Sequence, residues 1–229
     1  MNVITIAREF GSSGLFIARR IAERLGYDCV DKELIAEVAR AAGVDQETVE
    51  EIDEVGETPV RRFLRELFTP SNLYALSPEY PPLIWPYASG ADMGRDSAGT
   101  PASAFLDRGE YLRILQDTMR TLAQRGRVVI VGRGGQCLLA DHPDTLHVCF
   151  VAPLENRIVS IMEEKGIDRE KARQLVAEKD RQRALYLQQH YHQDWHDATM
   201  YHIIVNTSIG SIDRVADIVV DVYHRMQEP

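Results

Sequence analysis

No apolar run in this chain is long enough to cross a bilayer; VVIVG and DIVVDVY fall far short of the ~20 residues a spanning helix needs. Cysteine is scarce as well. Cys29, Cys137 and Cys149 are odd in number and widely spaced, which argues against a disulfide framework or a zinc site and suits small buried residues in a reducing compartment. Positive charge is in short supply: 26 Lys plus Arg stand against 35 Asp plus Glu, a formal net charge of −9. That excludes the broad basic surface of a sequence-independent nucleic-acid binder, although a local arginine cluster can still hold a small anion. The start of the chain shows no basic segment leading into an apolar one, so the expected location is cytoplasmic. The phosphate-loop pattern G-x-x-x-x-G-K-[ST] is absent too.

What is present is ordinary for a globular protein of 229 residues, with 45% hydrophobic and 27% charged residues. That length suits one large α/β domain carrying an inserted segment. Val3–Ala7 reads as a buried strand and Ser12–Leu25 as an amphipathic helix, with Leu15, Ile17, Ala18, Ile21, Ala22 and Leu25 inward. The stretch YDCVD predicts a second strand ending at Asp31, and KELIAEVARAAG a second helix closed by Gly43. Val44–Phe68 is helical in pattern.

Six of the ten prolines then fall between Thr69 and Ala104, a density that no regular element survives. Leu73, Tyr74, Leu76, Tyr80, Leu83, Ile84, Trp85 and Tyr87 make this stretch too apolar for a solvated linker. We expect an ordered excursion that packs on the domain or on a partner chain, giving a homo-oligomer in the second case. Alternation resumes with a helix over Asp107–Gln124, strands at RVVIVG and LHVCFVA, and helices over Leu154–Lys165 and Arg169–Gln189. A last strand, YHIIVNT, and a last helix, Ser211–Met226, close a doubly wound sheet of five parallel strands.

FGSSG, between the first strand and first helix, places small residues and backbone N–H groups where an oxyanion can approach a helix N-terminus. The alternative is a tight turn that binds nothing. His190, His192, His196 and His202 crowd another stretch, with His192 and His196 spaced to share a helix face near Asp194 and Asp197. The spacing matches no recognised zinc signature, and Tyr191 and Trp195 suggest a packed helix end, so no metal site is expected.

The segments ITIAREFGSSGLFIA, AERLG, DKELI, VIVGRGG, APLENRI, EKDRQRALY and NTSIGSIDRVADIV occur in the order seen in the cytidylate kinase-like proteins, which this chain resembles. The likeness covers the first 40 residues and most of Arg127–Val222, but not the proline-rich stretch. It implies a P-loop NTPase-type α/β domain over residues 1–229, with the insertion at about 69–104 and an arginine-rich helical lid at about 166–197. It also implies a phosphotransferase that uses ATP and Mg²⁺ to phosphorylate a nucleoside monophosphate, CMP or dCMP first, with no nucleic-acid or membrane partner. The family generally lacks the loop lysine. Set in register with a standard nucleoside monophosphate kinase, Gly14 stands in the lysine position, Leu15 in that of the magnesium-holding hydroxyl, and Arg8 in that of the first glycine.

By this resemblance Gly11, Ser12, Ser13 and Gly14 cup the donor phosphates, with Arg8 and Arg157 as nearby cations. Arg8 could equally pair with Glu9 or a sheet-edge carboxylate. Gly132 and Arg133 hold the acceptor phosphate, unless Arg133 merely faces water, while Asp31 orients acceptor ribose or base, or caps the next helix. Arg181 and Arg183 close over the transferring group, with Asp180 holding one of them or positioning Mg²⁺; the alternative is a solvated charged helix. Two other functions stay open: a non-catalytic nucleotide-binding protein of this fold, motivated by Leu15, and a kinase for a different small acceptor, with Asp31 as base.

Overall fold

The computed structural model describes residues 2–31 and 108–227. The helices expected between 32 and 68, and the proline-rich stretch with its expected packing, lie outside them. The chain divides into two compact units, Met1–Lys32 with Met119–Pro229, and Glu33–Thr118. Every residue of the site below belongs to the first.

The described elements run β1 (Val3–Arg8), α1 (Gly14–Leu25), β2 (Asp28–Val30), α2 (Arg108–Arg125), β3 (Val128–Val131), a short α3 (Gly135–Leu138), β4 (Thr145–Val151), α4 (Leu154–Lys165), α5 (Arg169–Tyr191), β5 (Ile203–Asn206) and α6 (Ile212–Arg225). The five strands form one sheet in the order β2-β3-β1-β4-β5. All pairings are parallel, as the strand–helix alternation implied. β1 is central, with Val3 level with both Val128 and Thr145. Strands buried on both faces need unbroken apolar character, which explains runs such as VVIV.

Alternation along β1 assigns its two faces. Ile4 and Ile6 enter a core with Ile17, Ala18 and Ile21 of α1 and Val215, Ala216, Val219 and Tyr223 of α6. Ala7 points the other way, into a cluster with Cys149, Leu187, Trp195 and Tyr201. Thr5 shares that second face and is hydrogen-bonded to His147 Nδ1 at 2.6 Å. α4 and the first half of α5 make a third cluster, where Ile158 and Ile161 meet Ala172 and Val176, with Phe10 packed against them.

Two expectations shift. β2 stops at Val30, so Asp31 lies just beyond the strand rather than at its end. α5 runs through Tyr191, and His192 caps it in the left-handed conformation at φ 54°. His192 and His196 therefore do not share a helix face, because the chain turns out of the helix between them.

Candidate functional site

Ligands of open α/β sheets bind at the carboxyl ends of the strands, where strand order reverses direction. Here β2 and β3 lie to one side of β1, and β4 and β5 to the other. The loop after β1 occupies that point. Glu9 N–H still pairs with the Phe150 carbonyl at 2.9 Å, extending the sheet by one residue. Gly11 then turns the chain at φ 83°; a Cβ there would lie 2.7 Å from the Arg157 carbonyl oxygen, so only glycine fits. Ser12 folds the loop on itself, its Oγ donating to the Glu9 carbonyl at 2.9 Å. Ser13 enters α1 in the left-handed region at φ 59° without capping the helix through its side chain. The first turn of α1 also carries no acidic residue, so no carboxylate of its own offsets the positive end of the helix.

Beneath the loop lies an ion-pair knot. Arg157, on α4 and only 8% exposed, donates through Nε to the Ala152 carbonyl at 3.1 Å and through Nη1 to the Phe10 carbonyl at 3.4 Å. It also pairs with Glu9 at 3.3 Å and, more closely, with Asp180. Glu9 in turn accepts the Ala152 N–H at 2.8 Å, and Asp180 accepts the Phe10 N–H at 2.9 Å. Arg157 and Asp180 thus clasp the loop to α5. A buried ion pair is tolerated here because both the arginine and its carboxylates also hydrogen-bond backbone groups.

Arg183 reaches the loop from the same helix. Its Nη1 donates to the Arg8 carbonyl at 2.7 Å, and its guanidinium carbon lies 5.4 Å over the Phe10 ring. Arg181, two residues earlier, points outward and binds Glu178 of its own helix at 2.8 Å. The two arginines of α5 are separated by helix geometry, one aimed at the loop and one at solvent.

Arg133 follows β3 in the left-handed conformation at φ 57°. Its guanidinium carbon sits 5.8 Å over the Tyr186 ring, and its carbonyl accepts from Tyr191 Oη at 3.1 Å. A Cβ at Gly134 would fall 2.3 Å from the Tyr191 ring, so that glycine lets the last turn of α5 rest on the loop. Arg133 Nε is buried with no hydrogen-bond partner. Asp31, beyond β2, accepts from Arg19 Nη2 at 3.3 Å.

Arg8 completes the group. Its guanidinium lies against Gly132, where a Cβ would meet Nη1 at 2.2 Å. Burial lowers its pKa to about 10, with Arg183 and Arg133 pushing the same way and Asp31 opposing. Arg183 is lowered by burial as well, against the opposing charge of Asp180. Among the described residues neither Arg8 nor Arg133 has a carboxylate within ion-pairing distance. Three guanidiniums from β1, the β3 turn and α5 therefore gather at one edge of the loop, a local reversal of the acidic whole.

Of the residues marked in the sequence, the structure brings together Arg8, Gly11–Gly14, Gly132, Arg133, Arg157, Asp180 and Arg183, with Asp31 at the margin and Arg181 turned away. Phe10, Tyr186 and Tyr191 were not singled out as site residues. Phe10 lay inside the motif, but only the contacts of α5 reveal the two tyrosines. All three cysteines are free thiols, pushed up by burial to about 12, 11 and 12 for Cys29, Cys137 and Cys149. No helix among the described residues is long and apolar enough to cross a membrane.

The sequence matches the cytidylate kinase-like family over residues 3–209. The chain belongs to that family. A cytidylate kinase of Methanopyrus kandleri is 28% identical over 131 residues, covering 49% of this chain and 68% of that protein. A uronate isomerase of Corynebacterium glutamicum is 30% identical over 97 residues, covering 42% of this chain but only 19% of that protein. This member of the family therefore spans less than a fifth of that relative's length. A solved structure of an uncharacterized protein from Eubacterium ventriosum superposes with a TM-score of 0.64 at 21% identity, covering 98% of both chains, and shares the fold. Family and fold together make this a nucleotide kinase-like protein.

Proposed function

We propose that the protein transfers a phosphoryl group from ATP to a nucleoside monophosphate, with CMP and dCMP the first acceptors to test. The convergence of Arg8, Arg133 and Arg183 beside a glycine-turned loop carries this reading. Phosphoryl transfer asks a protein mainly for positive charge and alignment around a transition state whose charge is spread over oxygens. Guanidiniums supply both through their planar forks. Gly11–Gly14 would receive the donor phosphates on backbone N–H groups. Gly132 and Arg133 would hold the acceptor phosphate, and Asp31 would orient its sugar or base. Arg183 is already over the loop; Arg181 would have to leave Glu178 to join it. The acceptor phosphate is itself an anionic nucleophile, so no general base is required.

Mg²⁺ would screen the donor charge. The chain's own groups fit a metal that arrives with the nucleotide, held by phosphate oxygens and water. Asp180 is engaged by Arg157 and Phe10 N–H, the Ser12 hydroxyl donates within the loop, and Leu15 offers no oxygen. Arg157, fixed to four protein groups, would act on the donor side through the loop it supports. A coupled assay of ADP release with each nucleoside monophosphate tests the reading; acceptor-dependent turnover is expected, and its absence with every acceptor would reject it.

The same internal use of Ser12, with Leu15 in the hydroxyl position, favours one rival: a protein of this family that binds nucleotide without turning it over. Calorimetric binding of ATP with no turnover would select it.

A further inference from the structure

The side chain of Arg8 leaves β1 on the α1 face and passes under the start of that helix. A Cβ on Gly14 would meet its Cβ at 2.7 Å and its Cγ at 3.0 Å. The guanidinium then rests on Gly132, just past β3. Two glycines are thus needed to let one arginine through. The charged groups that act on it are Asp31 beyond β2, Arg133 beyond β3 and Arg183 of α5. In the order β2-β3-β1-β4-β5, its head has moved off β1 towards the β3–β2 half of the sheet, away from β4 and β5. Among the described residues its guanidinium donates no hydrogen bond to the protein. It lies beside Arg133, whose buried Nε is also without a partner. One buried donor without a partner on Arg133, beside the half-buried Arg8 guanidinium that also donates to no protein group, calls for an oxyanion between them, because an unpaired buried donor is costly.

We propose that Arg8 is a phosphate ligand of the acceptor, acting as a pair with Arg133, and is not a stand-in for the missing loop lysine. The donor triphosphate is then left to the backbone N–H groups of the loop, the α1 terminus and Arg183. This deepens the proposed function and rests on it. It also explains why an arginine can occupy a loop position that otherwise needs a small residue: the side chain exits through the space that Gly14 and Gly132 leave open.

The test is isothermal titration of the intact protein with two probes, the tightest-binding of CMP, UMP, AMP and GMP, and Mg²⁺ with AMP-PNP. Arg8→Met removes the fork and the charge; Arg8→Lys keeps the charge and protects against loss of fold. The expected result is at least a 30-fold loss of monophosphate affinity in Arg8→Met and a smaller one in Arg8→Lys, with AMP-PNP affinity kept within threefold in both. Equal losses on both probes, or a loss confined to AMP-PNP, would overturn the assignment while leaving the kinase reading standing. Wild-type protein that binds neither probe would overturn the kinase reading, and this assignment with it.

Discussion

Arg183 of α5 donates a hydrogen bond to the backbone carbonyl of Arg8 at 2.7 Å, joining residues 175 apart in the chain. The contact holds one cation of α5 at the loop, while its neighbour Arg181 is paired with Glu178 on the exposed side. Arg183→Ala is expected to lower kcat/KM for phosphoryl transfer by about 100-fold or more, in line with losing one charge-stabilising donor. Arg181→Ala should change thermal stability by less than about 0.5 kcal/mol and the rate much less than Arg183→Ala. Steady-state kinetics on the two variants decide the ranking.

Asp180 holds Arg157 and the Phe10 N–H together. Asp180→Ala leaves a buried guanidinium with only Glu9 as counter-charge, so a loss of about 2 to 4 kcal/mol in unfolding free energy is expected. Asp180→Asn keeps an acceptor for Phe10 and should lose less. A double-mutant cycle with Arg157→Met, read by denaturant unfolding, should show a coupling of more than about 1 kcal/mol.

Ser13 pays for a left-handed backbone with no side-chain cap in return. Ser13→Gly should therefore raise stability by about 1 kcal/mol. Gly11→Ala should do the opposite, because its φ is also positive and the new Cβ would strike the Arg157 carbonyl. Thermal melts of both variants give the signs directly; a destabilised Ser13→Gly would show that the turn is not strained.

His147, 4% exposed in β4, bonds Thr5 and stacks on His202 at 4.9 Å between ring centroids. Burial lowers its pKa from 6.5 to about 4, with His202 and His142 pushing the same way and a hydrogen bond with the Leu139 backbone opposing. Above pH 6.5 the ring is neutral whether folded or unfolded. Between 6.5 and 4 the unfolded chain takes up a proton that the folded one refuses. Stability should thus fall through that window, by an amount on the order of 3 kcal/mol, and level off below it. His147→Gln should flatten this limb in urea unfolding measured from pH 7.5 to 4.

The strands and their parallel pairing could be read from apolar runs alternating with amphipathic stripes, as in β1 and α1, because burial leaves a period in the sequence. Strand order left no such trace, so the company that Arg8 keeps beside Gly132 was invisible. The motifs named most of the residues that the structure gathers around the loop, but not the contacts each side chain makes. Arg157 looked like a ligand for an anion and proved to be tied to Glu9 and Asp180, because its burial depends on how α4 docks under the loop. Arg181 and Arg183 could be seen to differ in facing, yet which one turned inward required the packing of Val176 and Leu187. The helix boundary near Tyr191 was misjudged by two residues, since nothing local marks His192 as a left-handed cap.

The last turns of α5 belong to the same apolar cluster as Trp195 and Tyr201, so the helix that carries Asp180 and Arg183 cannot swing away without wetting an indole. The chain has two tryptophans, Trp85 and Trp195. With Trp85→Phe in place, the emission maximum of Trp195 reports whether this helix lifts when AMP-PNP and a nucleoside monophosphate are added. An emission maximum that stays fixed on ligand addition would mean that the helix keeps its seat on Trp195 while the site is filled.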